Sequence, residues 1–157
     1  MKLKVSQPKL EKLNEKYEIK IFGFRQTEEE HPVADSKISA GFPAYAENFK
    51  TDPISIDQFL IKKSESSFII QVTGESMLDA GIFPNAYIVV DTSVEPKNNS
   101  IVVVRVEDEF LVKRLCTHEK FAVLKAENIN ENYPDIRIDE SVDFEIWGTV
   151  TGTFQKL

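Results

Sequence analysis

The 157-residue chain has one cysteine, two histidines and six glycines. A single thiol, Cys116, cannot close an internal disulfide, so a reducing, cytoplasmic compartment is expected. Cys116 follows Leu115 at a strand end and reads as a small core or edge residue rather than a nucleophile. His31 and His118 are far apart, and neither has Cys or His neighbours at metal-ligand spacing. Both read as solvated side chains, no metal or other cofactor is expected, and no Ser-His-Asp set is evident. Gly74 and Gly81 fit neither standard phosphate-binding loop. No apolar run approaches the roughly 18 residues of a membrane-spanning helix. The N-terminus also lacks the apolar centre of a secretory signal peptide.

A basic surface is missing too. Nineteen Lys and Arg face 26 Asp and Glu, a formal net charge of -7. Such a surface repels phosphate backbones, so direct nucleic-acid binding is not expected. The imbalance is uneven: residues 1–40 carry a net +1, and residues 41–157 carry -8. The first forty residues are too few to bury a core of their own. Pro8 to Tyr17 could form a short helix capped by Ser6, and Tyr17 to Phe24 alternates like a short strand. The following RQTEEEHPVADSKIS reads as an extended, exposed linker, with an ordinary frayed terminus the plainer reading on composition alone. It ends at Ile38-Ser-Ala-Gly-Phe-Pro43, where Ala40 and Gly41 permit close backbone approach and Pro43 holds Phe42 extended. A protease cleft accepts a segment of that kind, although the signal is weak alone.

Beyond Gly41 the pattern is that of one mostly β domain. Strands are expected at Ser67–Thr73, Ala86–Asp91, Ile101–Val106, Glu109–Leu115, Phe121–Lys125 and Asp143–Phe154, all rich in β-branched and aromatic residues. Glu107-Asp108 is a plausible hairpin turn, and Asp57–Lys62 is either a helical turn or the start of a strand. Short strands separated by turn residues predict a curved, antiparallel β body behind an extended N-terminal arm.

One segment stands out for chemistry, Thr73-Gly-Glu-Ser-Met-Leu-Asp79. Gly74 permits a tight strand exit, Ser76 would be presented there, and Met77 would anchor the turn. Backbone N–H groups beside such a turn could polarise a carbonyl. The plainer reading is a turn serine capping a short Met77–Ala80 helix. A nucleophilic serine needs a base, and Lys113 is the candidate. Period-two alternation groups Leu111, Lys113 and Leu115 on one face. If that face is inward, desolvation lowers the lysine pKa and the amine can accept a proton. If it is outward, Lys113 simply lies along the surface. Phe110 and Val112 make the other face apolar as well, so alternation leaves both readings open.

Taken together, these pieces resemble the LexA/UmuD family of self-cleaving serine peptidases, from about Ile38 to the C-terminus. The resemblance rests on Ala40-Gly41-Phe-Pro as the scissile region, Gly74-Glu-Ser-Met77 as the nucleophile motif and Glu109-Phe-Leu-Val-Lys-Arg-Leu115 as the base strand. Val89-Val-Asp91 and Phe144-Glu-Ile-Trp-Gly148 fall where the family has similar strands, and Lys113 lies 37 residues after Ser76. The resemblance implies the LexA C-terminal fold, Ser76 as nucleophile and Lys113 as general base. It implies oxyanion or turn support from Gly74, Glu75 and Met77, and self-cleavage between Ala40 and Gly41. Residues 1–40 would be a cleavable arm, and 41–157 a peptidase and dimerisation domain. Implied partners are a second copy of the chain, a UmuC-type translesion DNA polymerase, and a RecA filament on single-stranded DNA that stimulates cleavage. The chain departs from the family in three places. Glu75 stands where Asp is common, Pro84-Asn85-Ala86 replaces a Gly-Asp turn, and the arm is longer.

Three other readings compete. A LexA-like repressor needs an N-terminal helix-turn-helix domain, which forty residues with one weak helix do not readily supply. A signal-peptidase-like enzyme should carry a membrane anchor. A non-catalytic adaptor of the same fold would keep the body and lose the chemistry.

Overall fold

The computed structural model of the chain describes Leu3, Val5 and residues 21–22, 29–34, 51–62 and 65–157. Ten strands are present among the described residues. They are β1 (Ile21–Phe22), β2 (His31–Ala34), β3 (Thr51–Ile54), β4 (Ser67–Gln71), β5 (Tyr87–Asp91), β6 (Ile101–Val106), β7 (Glu109–Thr117), β8 (Ala122–Lys125), β9 (Ile136–Ile138) and β10 (Phe144–Phe154). Eight form one sheet in the order β1-β4-β5-β10-β6-β7-β8-β9, while β2 and β3 form a separate pair. Every strand pairing is antiparallel. The mostly β, antiparallel expectation therefore holds.

The strands follow their composition. β5 and β6 are runs of Val and Ile, and both are largely buried, as befits strands covered on two faces. Val103 of β6 enters one core cluster with Phe68, Ile88, Val90 and Trp147. Its neighbours Val102 and Val104 enter a second with Leu115, Leu124 and Ile146. Period-two alternation thus divides the apolar content of a single strand between two cores. The β6–β7 hairpin closes through Glu107-Asp108, with Glu107 at the left-handed φ of 53° that a two-residue hairpin loop draws on. At Pro84-Asn85-Ala86, Asn85 takes φ 65°, so asparagine supplies the left-handed residue that a Gly-Asp turn would otherwise provide.

β10 links the two halves of the sheet. Its first half pairs with β6 and its second with β5, with register shifts between Ile146 and Gly148 and between Val150 and Gly152. Such bulges bend a strand and increase its twist. Gly148 is required by close approach. A Cβ there would stand 3.2 Å from the Asp91 carbonyl oxygen and 2.6 Å from Cγ1 of Val90, which is fully buried.

Several expectations are refined. Asp57–Lys62 resolves into a helical turn, Ile56–Leu60, capped by Ser55, whose side chain accepts from the Gln58 N–H. Ile21–Phe22 pairs with Ile69–Ile70 of β4, inside the short strand expected over Tyr17–Phe24. The Pro8–Tyr17 helix falls outside the described residues. The reading of RQTEEEHPVADSKIS as a bare linker needs correction. His31–Ala34 within it is extended but pairs with Thr51–Ile54. Its ladder partner lies twenty residues downstream, which local composition does not reveal. β9 was not foreseen, because Ile136-Arg-Ile138 is too short to carry a periodic signal. Ala40 and Gly41 lie outside the described residues.

A Gly148→Ala substitution is expected to destabilise the fold by about 1–3 kcal/mol through overpacking, measured by urea denaturation. Gly152→Ala meets only Leu60 at 3.7 Å and Val89 at 3.9 Å and should cost markedly less.

Candidate active site

The Ser76 turn is built by its neighbours. After β4, Val72 and the Asn85–Ala86 backbone exchange two hydrogen bonds of 2.9 Å, which fixes where the chain leaves the sheet. Gly74 then takes φ 87°, and a Cβ there would meet no atom of the described residues within 4 Å. Backbone conformation, not crowding, therefore calls for glycine there. Met77 is buried in the first core cluster, and its carbonyl accepts from Ala80 at 3.1 Å and Ile82 at 3.2 Å. A single 3-10 turn, Leu78–Ala80, follows and ends at Gly81 with φ 78°. Its N-cap residue is Met77, and it has no side-chain cap, so the capping role considered for Ser76 is not what the hydroxyl does. Ser76 is half-buried. Among the described residues, the N–H groups of Ser76 and Met77 donate to no backbone carbonyl.

Lys113 occupies the inward face of β7. It pairs with the fully buried Val102 and lies two residues before the fully buried Leu115. Only 6% of Lys113 is exposed. Among the described residues it makes no ion pair. Burial pushes its pKa below the ordinary lysine value of 10.5, because a low-dielectric setting penalises the ammonium. The Tyr133 ring, 5.2 Å from Nζ, gives the charged form partial compensation.

Ser76 and Lys113, 37 residues apart in sequence, line the same cleft of about 440 Å³. Apolar walls come from Val72, Met77, Val103, Phe110 and Val112, and Gly74 also lines the cleft. Glu75 is exposed, and its backbone carbonyl accepts from the Asn128 side chain at 2.9 Å. β7 pairs with β6 along Glu109–Arg114 but with β8 only from Arg114 onward. β8 therefore does not cover the part of β7 that borders the cleft. No group of His, Cys, Asp and Glu among the described residues could hold a metal ion.

Sequence reasoning missed a second set of residues here. Arg114 and Glu127 form a two-pronged ion pair, with both N···O distances 2.7 Å. Glu127 also meets the Ser76 turn through its backbone, donating to the Ser76 carbonyl at 2.7 Å and accepting from Asp79 at 2.8 Å. The only hint in the sequence was Arg114 beside Lys113, because Glu127 reaches the turn by way of the β7–β8 hairpin.

Burying an ammonium without an anion costs stability. Lys113→Met, of similar volume, is expected to raise Tm near neutral pH by roughly 2–6 °C, the response to about 1 kcal/mol in a domain of this size. The native pKa lies below the unfolded one, so between the two the unfolded chain binds more protons and parental stability rises with pH. The gap between parent and variant should therefore narrow on approaching pH 10.5, as followed by thermal melts across pH.

The Peptidase S24-like family profile matches residues 32–151. The chain is similar to protein MucA of Salmonella typhimurium, with 32% identity over 121 residues, covering 76% of this chain and 81% of MucA. It is similar to protein SamA of Salmonella typhimurium strain LT2, with 29% identity over 125 residues, covering 80% of this chain and 85% of SamA. It also resembles the LexA repressor of Clostridium novyi strain NT, with 35% identity over 122 residues that span 76% of this chain and 57% of the repressor. The chain belongs to the S24 peptidases, the self-cleaving serine peptidases of the LexA and UmuD type.

Proposed function

We propose that the chain cleaves itself between Ala40 and Gly41 through a Ser76–Lys113 dyad, and that residues 41–157 then serve as the accessory subunit of a translesion DNA polymerase. One observation carries the catalytic part: a serine on a tight turn and a buried lysine with no carboxylate partner among the described residues border one cleft. Neutral Lys113 Nζ takes the Ser76 Oγ proton as the oxygen attacks the Ala40 carbonyl carbon. The N–H groups of Ser76 and Met77 are the candidate donors to the oxyanion. As the tetrahedral intermediate collapses, the Ala40–Gly41 bond breaks and protonated Lys113 gives its proton to the leaving Gly41 amine. Water then attacks the Ala40 ester, with Lys113 again as base, and frees Ser76.

The part of β7 that β8 does not cover borders the cleft, and a scissile segment could dock along it in extended form. The same chain, or the arm of a second copy in a dimer, would supply it. A RecA filament on single-stranded DNA would act by favouring the docked arm, a shift in population rather than a new catalytic group. The acidic body fits an accessory role in which a UmuC-type polymerase holds the DNA. Among the described residues no helix is long and apolar enough to cross a membrane, in keeping with a cytoplasmic site of action.

Incubation of the full chain at alkaline pH, followed by mass spectrometry, tests this reading. The expected product begins at Gly41. The amine is a base only when unprotonated, so the rate should rise with pH and level off above the native Lys113 pKa, below 10.5. Ser76→Ala should remove cleavage, and Lys113→Ala should do so while keeping the fold. A parental rate in Ser76→Ala would reject the dyad. An activated recombinase filament should accelerate cleavage at neutral pH.

A further inference from the structure

We propose that the Arg114–Glu127 ion pair is a positioning clamp that holds the Ser76 turn in register with the strand carrying Lys113. The proposal rests on the dyad reading above and adds a residue pair to it. Arg114 is covalently next to Lys113, and its Nε and Nη2 grip the two carboxylate oxygens of Glu127 at 2.7 Å each. The third guanidinium nitrogen, Nη1, donates to the Asn99 carbonyl at 2.8 Å, so the fork is anchored on both sides. Glu127 then holds the turn by its backbone on either side of Met77, at Ser76 and at Asp79. Asn128 donates to the Glu75 carbonyl at 2.9 Å, and the Ile129 N–H donates to Asp79 Oδ2 at 2.7 Å. Four hydrogen bonds therefore tie the 75–79 turn to the 127–129 segment.

That segment needs a fastening. The β7–β8 ladder ends at the Arg114–Lys125 pair, and Glu127 lies two residues past it. A bidentate Arg–carboxylate pair fixes angle as well as distance, which a single charge contact does not. Arg114 holds the Glu127 carboxyl below the usual carboxylate range, so the clamp stays ionised throughout the alkaline window in which Lys113 is a base. Proton transfer requires the serine oxygen and lysine nitrogen to come within about 3 Å. A displacement of about 1 Å can cost on the order of 100-fold in rate.

An electrostatic role would look different. Without the Glu127 carboxylate, the Arg114 charge would be unneutralised near Lys113, moving the midpoint of the pH–rate curve lower and leaving its alkaline plateau intact. A positioning role lowers the plateau itself.

The test compares the full-length parent with Glu127→Gln in two measurements. Self-cleavage is followed against pH, and the variant's plateau is expected to fall about 10- to 100-fold. Amide hydrogen exchange is followed by NMR in the uncleavable Ser76→Ala background. There, Glu127→Gln should lose protection at the Asp79 and Glu127 amides while the β4–β5 amides keep theirs. A retained plateau, unchanged protection at those two amides, or an equal loss of protection everywhere would each overturn the clamp. If the parent itself fails to cleave, the dyad reading falls, and the exchange measurement still decides whether the pair positions the turn.

Discussion

A lysine amine drawn largely out of water, with no ion-pair partner among the described residues, is the constraint on which the site depends. Lys113 lies in β7 between positions committed to the core, opposite a fully buried valine. Side chains of this type are normally solvated or paired. Here the aliphatic wall contributed by β6 and β7 keeps the charged form unfavourable. Much of the surrounding architecture serves that condition. The two-residue hairpin at Glu107-Asp108 sets the register that puts Val102 against Lys113, and the bulged β10 packs β6 from its other side. Shifting the β6–β7 register by one residue would turn the lysine to the opposite face, away from Val102.

The same economy governs the serine. Its turn is irregular backbone, yet it is held by a glycine in the left-handed region before it, a buried methionine after it, and hydrogen bonds from a distant segment. A hydroxyl on an unsupported loop would be too poorly placed for proton transfer. The two elements reach the cleft from different parts of the sheet, β4 and β7, which are not neighbours in strand order. The segment leaving β8 spans them, and there an arginine–glutamate pair makes a short, directional connection.

Membership in the S24 peptidases gives this arrangement its context. A cleft bordered by strand backbone is suited to an extended peptide, because main-chain hydrogen bonds can form before any side chain is selected. On the reading proposed above, self-cleavage would be set by how often the arm occupies the cleft, and an activator could act on that occupancy alone.

Much of this was legible in the residues. Seven strands, the Glu107-Asp108 hairpin and the Ser76 turn follow from local composition and alternation, because extended structure, hairpin loops and glycine-dependent turns are decided within a few residues. The strand pairing of His31–Ala34 with Thr51–Ile54 and the three-residue β9 were not legible, since a short polar or weakly apolar segment becomes a strand only when a distant partner completes its hydrogen bonds. The orientation of Lys113 belongs with these. Both faces of β7 carry apolar residues, so alternation places Lys113 with Leu111 and Leu115 but does not say which face is dry. Packing answered that question, because burial is a property of what lies opposite. Only the path of the chain through the sheet brought Ser76 to the same cleft and set Glu127 against its turn, for contact between residues far apart in sequence depends on the route between them and not on their identities.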